Sequence, residues 1–178
     1  ERKRVSLSYS PAGSLAAVAV EGETYVERIA YDAKGQRVMI VHGNQTITRY
    51  TYDSRTRRLL RLRTESVVVS GDLLYRPTGP VLQDITHQYD PAGNVVLISD
   101  RAPGCGIPGT PLGPDALDRV FGYDPLYRLR SATGRECAVP AATDYDVVPR
   151  CTDPTQARAY TEVFQYDALG GLSELKHL

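Results

Sequence analysis

Short apolar runs alternate with polar turn residues along this chain, and no stretch sustains a helical period. The pattern is cleanest between Gln36 and Thr64. Val38-Met39-Ile40-Val41 is an apolar run, and His42-Gly43-Asn44-Gln45 is a turn with Gly-Asn at its centre. Thr46-Ile47-Thr48-Arg49-Tyr50-Thr51-Tyr52 then alternates with period two, as a half-buried strand does. Tyr50 and Tyr52 share one face of that strand, while Ile47, Arg49 and Thr51 share the other. After a turn over Asp53–Arg58, Leu59-Leu60-Arg61-Leu62-Arg63 opens the next strand. Val67-Val68-Val69 also reads as strand, whereas Tyr75-Arg76-Pro77-Thr78-Gly79-Pro80 reads as loop from its composition. Ile85–Tyr89 with Val95–Ile98, and Val163–Tyr166 with Leu172–Leu175, make further hairpins. The fold class predicted is all-β: antiparallel hairpin repeats with no helix longer than about two turns.

One seven-residue figure punctuates this pattern six times, at Tyr9 (YSPAGSL), Tyr31 (YDAKGQR), Tyr52 (YDSRTRR), Tyr89 (YDPAGNV), Tyr123 (YDPLYRL) and Tyr166 (YDALGGL). Each copy reads as a strand end, a tight turn and a strand start. The Asp after the tyrosine (Asp32, Asp53, Asp90, Asp124, Asp167) can accept the backbone N–H two residues on. Gly at the fifth position (Gly13, Gly35, Gly93, Gly170) supplies the left-handed residue that closes a type I turn with a bulge. Thr56 and Tyr127 replace that glycine, so those two turns are expected to close differently. The tyrosine is expected to cover neighbouring strands and keep its hydroxyl in water. Spacings of 22, 21, 37, 34 and 43 residues separate the tyrosines. Two strands and two turns need about 21 residues, so the longer intervals contain inserted loops.

The insertions fall near 102–118 and 137–160. Ala102 to Asp115 holds four prolines and four glycines, which excludes a central strand. A helical turn is expected at Asp115–Arg119, and Asp153-Pro154 is positioned to start a short helix reaching Tyr160. All three cysteines lie in these segments. Cys137 and Cys151 flank the second insertion and are close enough in sequence to pair, but three free thiols are the preferred reading, as the odd count gives no disulfide framework.

Composition removes several classes. Basic and acidic residues balance at 21 each, which argues against a nucleic-acid surface. Tyr supplies 12 of the 14 aromatics and Trp is absent, a bias that follows the repeated figure. The longest apolar run, Leu15 to Val20, is too short to span a membrane. The charged start, Glu1-Arg2-Lys3-Arg4, is not followed by an apolar leader segment. There is no CxxC pair, and His42, His87 and His177 have no spacing that indicates a metal or a triad. Cys105 in Gly104-Cys105-Gly106 lacks a neighbouring base. No catalytic, cofactor-binding or metal site is predicted.

The recurrent Tyr-Asp-x-x-Gly figure resembles the RHS or YD repeats of bacterial toxins and of the animal teneurins. Tyr123 to Glu136, Tyr31 to Thr64, and Leu82-Gln83-Asp84 leading into Tyr89 are similar to the B component of Tc insecticidal toxin complexes. The two Pro-rich insertions depart from the pattern. The resemblance implies a β-sheet that spirals into a hollow shell around an unfolded or partly folded toxic polypeptide. It also implies secretion as part of a bacterial toxin complex made in the cytoplasm. The repeat is not itself an enzyme, although the far C-terminal end of such shells carries a self-cleaving aspartate site. Asp90-Pro91-Ala92-Gly93 matches the Asp-Pro-x-Gly wording of that site, but it follows a repeat tyrosine and leads into an ordinary strand, so it is read as a turn.

Two functions stay open at this stage. One is a non-catalytic wall segment whose partners are flanking repeats of the same polypeptide and an enclosed toxin. The other is a YD-repeat surface module that binds glycans or a protein, using tyrosines as sugar platforms. Regular placement of the tyrosines favours cross-strand packing over a sugar platform. About 90 strand residues tile roughly 1,400 Å² of sheet, while enclosing a guest of about 130 residues takes on the order of 6,600 Å². A wall segment of this size therefore covers about a fifth of a shell.

Overall fold

The computed structural model describes residues 2–70, 74–102, 118–137 and 157–178. Twelve strands occupy them: β1 (Val5–Tyr9), β2 (Leu15–Val20), β3 (Glu23–Tyr31), β4 (Arg37–His42), β5 (Thr46–Tyr52), β6 (Leu59–Val69), β7 (Tyr75–Tyr89), β8 (Val95–Asp100), β9 (Arg119–Tyr123), β10 (Leu129–Cys137), β11 (Ala157–Tyr166) and β12 (Leu172–His177). Each strand is hydrogen-bonded to the next in chain order, and the order does not close on itself. This is the antiparallel all-β hairpin array that the alternation predicts, and the described residues contain no helix.

The chain divides into two compact units, residues 1–85 and 86–178. In the first, β4 and β5 pair in a regular register from Met39 opposite Arg49 to His42 opposite Thr46. That register sets Val41 across from Ile47, and with Val67 these two form the apolar cluster, flanked by Met39 and Tyr75. In the second unit, Gly134 on β10 faces Tyr160 on β11. A Cβ on Gly134 would lie 2.4 Å from the Tyr160 ring, so the absent side chain makes room for the aromatic that covers it.

Three loop or helix expectations need correction. Tyr75–Pro80, expected as loop, is the start of the fifteen-residue strand β7. Proline's fixed φ is compatible with extended backbone, so Pro77 and Pro80 forfeit donors without breaking the strand. Gly79 allows close approach: a Cβ there would meet the Ser66 Cβ of β6 at 2.9 Å. The helix expected through Tyr160 is excluded over its last residues, because Ala157–Tyr166 is β11. The pairing of β11 with β10 supplies backbone partners that a short capped helix lacks. Likewise Arg119 opens β9, so a helical turn over Asp115–Arg119 does not reach its expected end. The insertion limits narrow, since Cys137 ends β10 and Ala157 begins β11. Cys105, Cys151 and Asp153-Pro154 lie outside the described residues, as do most of both insertions.

Candidate functional site: the repeated turns and their tyrosines

Five of the six repeated figures close by the same pair of backbone bonds. In the Tyr31 copy, Asp32 N–H donates to the Gln36 carbonyl at 2.9 Å and Gly35 N–H to the Asp32 carbonyl at 3.0 Å. The Tyr9, Tyr89 and Tyr166 copies repeat both bonds, with Gly13, Gly93 and Gly170 closing back on Ser10, Asp90 and Asp167. Gly13, Gly35, Gly93 and Gly170 all have positive φ, between 78° and 105°. This is the type I turn plus bulge that the glycine position predicts.

The two copies without that glycine split. Tyr127 adopts φ 62° and donates its N–H to the Asp124 carbonyl at 2.9 Å. It therefore closes the turn as glycine does, contrary to expectation. The Tyr52 copy does differ. Its Asp53 N–H reaches Arg58, one residue further on, and Arg57 takes the positive φ of 59°. The aspartates cap these turns from within: Asp32 Oδ1 accepts the N–H of Lys34 at 2.8 Å and of Gln36 at 2.9 Å. Asp124 and Asp167 accept the N–H groups of the corresponding residues. Asp90 Oδ1 holds Gly93 and Asn94 N–H, and its other oxygen holds the Asn94 amide. In the Tyr9 copy Ser10 Oγ takes the same part, accepting Ser14 N–H.

Four of the six repeat tyrosine hydroxyls are not left to water. Tyr31 Oη donates to the Leu15 carbonyl at 3.0 Å, Tyr52 to Arg37 at 2.9 Å, Tyr123 to Val95 at 3.0 Å and Tyr166 to Leu129 at 2.8 Å. Every acceptor is the seventh residue of the preceding figure, where the strand after the turn begins. These hydroxyls therefore lock one repeat onto the one before it. Tyr89 ends β7 with its ring stacked on His87, centroids 6.5 Å apart. Tyr9, by contrast, is 61% exposed. Replacing Tyr31, Tyr123 or Tyr166 singly by Phe is expected to cost about 1 kcal/mol each, the net worth of a neutral hydrogen bond, as read by urea unfolding. An unchanged midpoint would show that these hydroxyls couple nothing.

Charge is organised in pairs that the turn pattern does not reveal. Glu65, 5% exposed, is held by Arg49 and by Arg63 at 3.3 Å. Asp84 takes a bidentate grip from Arg61 at 2.6 and 2.5 Å, and Asp118 one from Arg101 at 2.5 and 2.8 Å. Glu136 joins Arg158 at 2.6 Å and His177 at 3.1 Å. Side-chain hydrogen bonds from these arginines are the main cause holding Asp84, Asp118 and Glu136 below the ordinary carboxylate range. Turn hydrogen bonds do the same for three of the repeat carboxylates: from Thr56 to Asp53, from Asn94 to Asp90 and from Arg128 to Asp124. Burial lowers His42, which sits at the end of β4 rather than inside the turn, and His87 on β7.

The pH consequence has two windows. A depressed folded pKa contributes stability above the unfolded value and loses it as pH falls through the folded one. The histidines act below 6.5 and the aspartates below 3.8. The melting temperature is expected to dip slightly below pH 6.5 and fall steeply below pH 3.8. Substituting His42 and His87 by Gln should remove the first step alone; its persistence would place the titration elsewhere.

Among the described residues no three His, Cys, Asp or Glu side chains are grouped to hold a metal ion. Nor is any described helix long and apolar enough to cross a membrane. The repeat aspartates sit one per turn, each engaged with its own backbone.

Comparison with known proteins follows the repeat. No family model matches. The chain is 32% identical over 165 residues to toxin subunit YenC2 of Yersinia entomophaga, covering 87% of this chain and 16% of that protein. It is 32% identical over 186 residues to toxin subunit YenC1 of the same organism, covering 96% of this chain and 18% of that one. The crystal structure of TcdB2-TccC3 superposes with TM-score 0.75 at 30% identity, over 98% of this chain and 8% of that chain. The Photorhabdus luminescens Tc holotoxin pore matches with TM-score 0.72, also at 30% identity. This chain is similar to RHS-repeat Tc toxin components. The resemblance drawn from the sequence named the B component; the curated relatives are subunits YenC1 and YenC2, and the solved chain is TcdB2-TccC3. The chain spans less than a fifth of the length of those Yersinia toxin subunits.

Proposed function

We propose that this chain is a non-catalytic wall segment of a bacterial Tc toxin complex, acting outside the producing cell. Its sheet lies between flanking repeats of the same polypeptide and forms part of the enclosure around a toxic polypeptide. The observation that carries this reading is the recurrent bond from four of the six repeat tyrosine hydroxyls to the seventh residue of the preceding figure. Such a rule adds repeat to repeat without a natural stopping point, as a wall requires and a single binding site does not. Similarity to the Tc subunits supports it. The half-buried repeat tyrosines, with their polar tips engaged, fit a packing role better than a sugar platform.

The test is photo-crosslinking in the complete toxin complex, with the reactive residue placed at Thr51, Leu60 or Val120, exposed strand positions. Adducts between at least one of these positions and the enclosed toxin support the wall reading. Adducts only with an outer protein, or glycan capture by the complete polypeptide, would replace it with the surface-module reading.

A further inference from the structure

Five of the strands that follow a repeated turn carry one residue too many for the strand before it. The skipped residue is Ala16 on β2, Val38 on β4, Leu60 on β6, Arg130 on β10 and Ser173 on β12. A bulge of this kind re-aims the side chain of the extra residue. Four of these positions hold an uncharged residue, so the bulge itself does not call for arginine. Arg130 is exposed and has no hydrogen-bond or ion-pair partner among the described residues.

Arg130 opens onto a cleft of about 340 Å³, lined also by Asp124, Arg128, Phe164, Gln165 and Tyr166. That volume lies at the lower end of the range for small-ligand sites, about 300–1,000 Å³. Arg128 is already fixed within it. Its Nε donates to Asp124 Oδ2 at 2.7 Å, and its guanidinium carbon lies 4.6 Å from the centroid of the Tyr166 ring. The Tyr166 hydroxyl is in turn tied to the Leu129 carbonyl at 2.8 Å. Asp124 is engaged by its own turn, since its Oδ1 accepts the N–H groups of Leu126 and Arg128. The Nη groups of Arg128 have no partner among the described residues. The cleft therefore combines one ordered guanidinium, one free guanidinium and two aromatic rings.

We propose that this cleft binds a carboxylate of an acidic peptide segment, with Arg128 and Arg130 donating to its oxygens and Phe164 and Tyr166 packing on an adjacent apolar side chain. A guanidinium presents paired donors that match the two oxygens of a carboxylate. Two arginines against one aspartate leave one positive charge in excess, the complement of a single carboxylate. A phosphate, with a charge of about −1.5 to −2, would exceed that complement beside Asp124. Because Arg128 is held before any ligand arrives, little side-chain freedom is lost on binding.

Solution NMR of the 178-residue chain tests the site, with three probes. One is a peptide of sequence Ala-Leu-Glu-Leu-Ala blocked at both ends, so that its only charge is the glutamate. The second carries glutamine in place of the glutamate, and the third is inorganic phosphate. The glutamate peptide is expected to shift the guanidinium signals of Arg128 and Arg130 and the ring signals of Phe164 and Tyr166. The glutamine peptide should leave them unmoved, and phosphate should bind more weakly than the glutamate peptide. Arg130→Gln should weaken glutamate-peptide binding by about tenfold, the scale of a charge-assisted hydrogen bond. Arg130→Lys, which keeps the charge and loses the paired donors, should fall between the two. Arg119→Gln makes the same change of charge at an exposed position on β9 outside the cleft, and should leave binding as it was. Unmoved signals with the glutamate peptide, equal binding of the two peptides, tighter binding of phosphate, or equal effects of Arg130→Gln and Arg119→Gln would each overturn the proposal. The site stands apart from the wall reading, since none of these outcomes bears on which protein is crosslinked in the complete complex.

Discussion

Gly43→Ala is expected to destabilise the first unit by about 3 kcal/mol, at the upper end of what inserting one methyl group into a closed contact costs. Gly43 follows β4, and its N–H donates to the Tyr25 carbonyl at 3.0 Å. That bond draws the turn against β3 so closely that a Cβ would lie 1.7 Å from the Thr24 carbonyl oxygen. The obstacle is backbone, so no rotamer change relieves it. Either the turn moves away and the bond is lost, or β3 shifts within its pairing to β4. Gly22 provides the contrast. Its φ is +86° but a Cβ there meets nothing within 4 Å, so Gly22→Ala should cost only the left-handed strain, about 1 kcal/mol. Urea unfolding of both variants separates the cases. Equal midpoints would mean that the contact at Gly43 yields freely.

The strands and turns were legible because the figure carries its own local chemistry. Asp at the second position and Gly at the fifth point to one turn whatever surrounds them, and the bonds of Gly35, Gly93 and Gly170 follow. Local chemistry misled where pairing prevailed. Tyr127 takes a left-handed φ that its side chain disfavours, because the strands on either side fix the turn length. Tyr75–Pro80 has loop composition, yet it runs as strand beside β6. Propensity is a statement about isolated segments, and a long paired strand outweighs it.

The tyrosines show where sequence reading stops for the site. Their regular placement implied lateral packing, but the hydroxyl acceptors lie 16, 15, 28 and 37 residues upstream. Insertions of different length separate successive figures, so no constant spacing exists to be noticed. The rule emerges only when distance is counted in repeats. The pairing of Arg61 with Asp84 and of Arg101 with Asp118 is hidden for a related reason: Arg61 and Asp84 lie on β6 and β7, Arg101 just past the end of β8 and Asp118 just before β9, so the partners are 23 and 17 residues apart with no shared figure between them. Strand alternation assigns each residue a face and says nothing of which neighbour it meets there.

Ile47→Ala is expected to cost about 3 kcal/mol, within the range for emptying a filled aliphatic site. Ile47 is fully buried, pairs with Val41 across β4 and β5, and packs with Val67 in the apolar cluster of the first unit. Met39 and Tyr75, only partly buried, border that cluster, so some collapse into the space is possible and the highest costs are not expected. The loss has a second part. On its other side Ile47 stands opposite Glu65, whose buried carboxylate is bound by Arg49 and Arg63. Shortening Ile47 admits water beside that group and weakens a pairing that depends on exclusion of solvent. Ile47→Val, which removes one methyl group, should cost about 1 kcal/mol. Val120→Ala, at a position 51% exposed on β9, should stay within about 0.5 kcal/mol. The three variants are compared by urea unfolding, with the Ile47→Ala cost measured again after Glu65→Gln. If the cluster and the ion pair are coupled, the two losses combine to less than their sum. Strict additivity would show that Ile47 acts through its own packing alone.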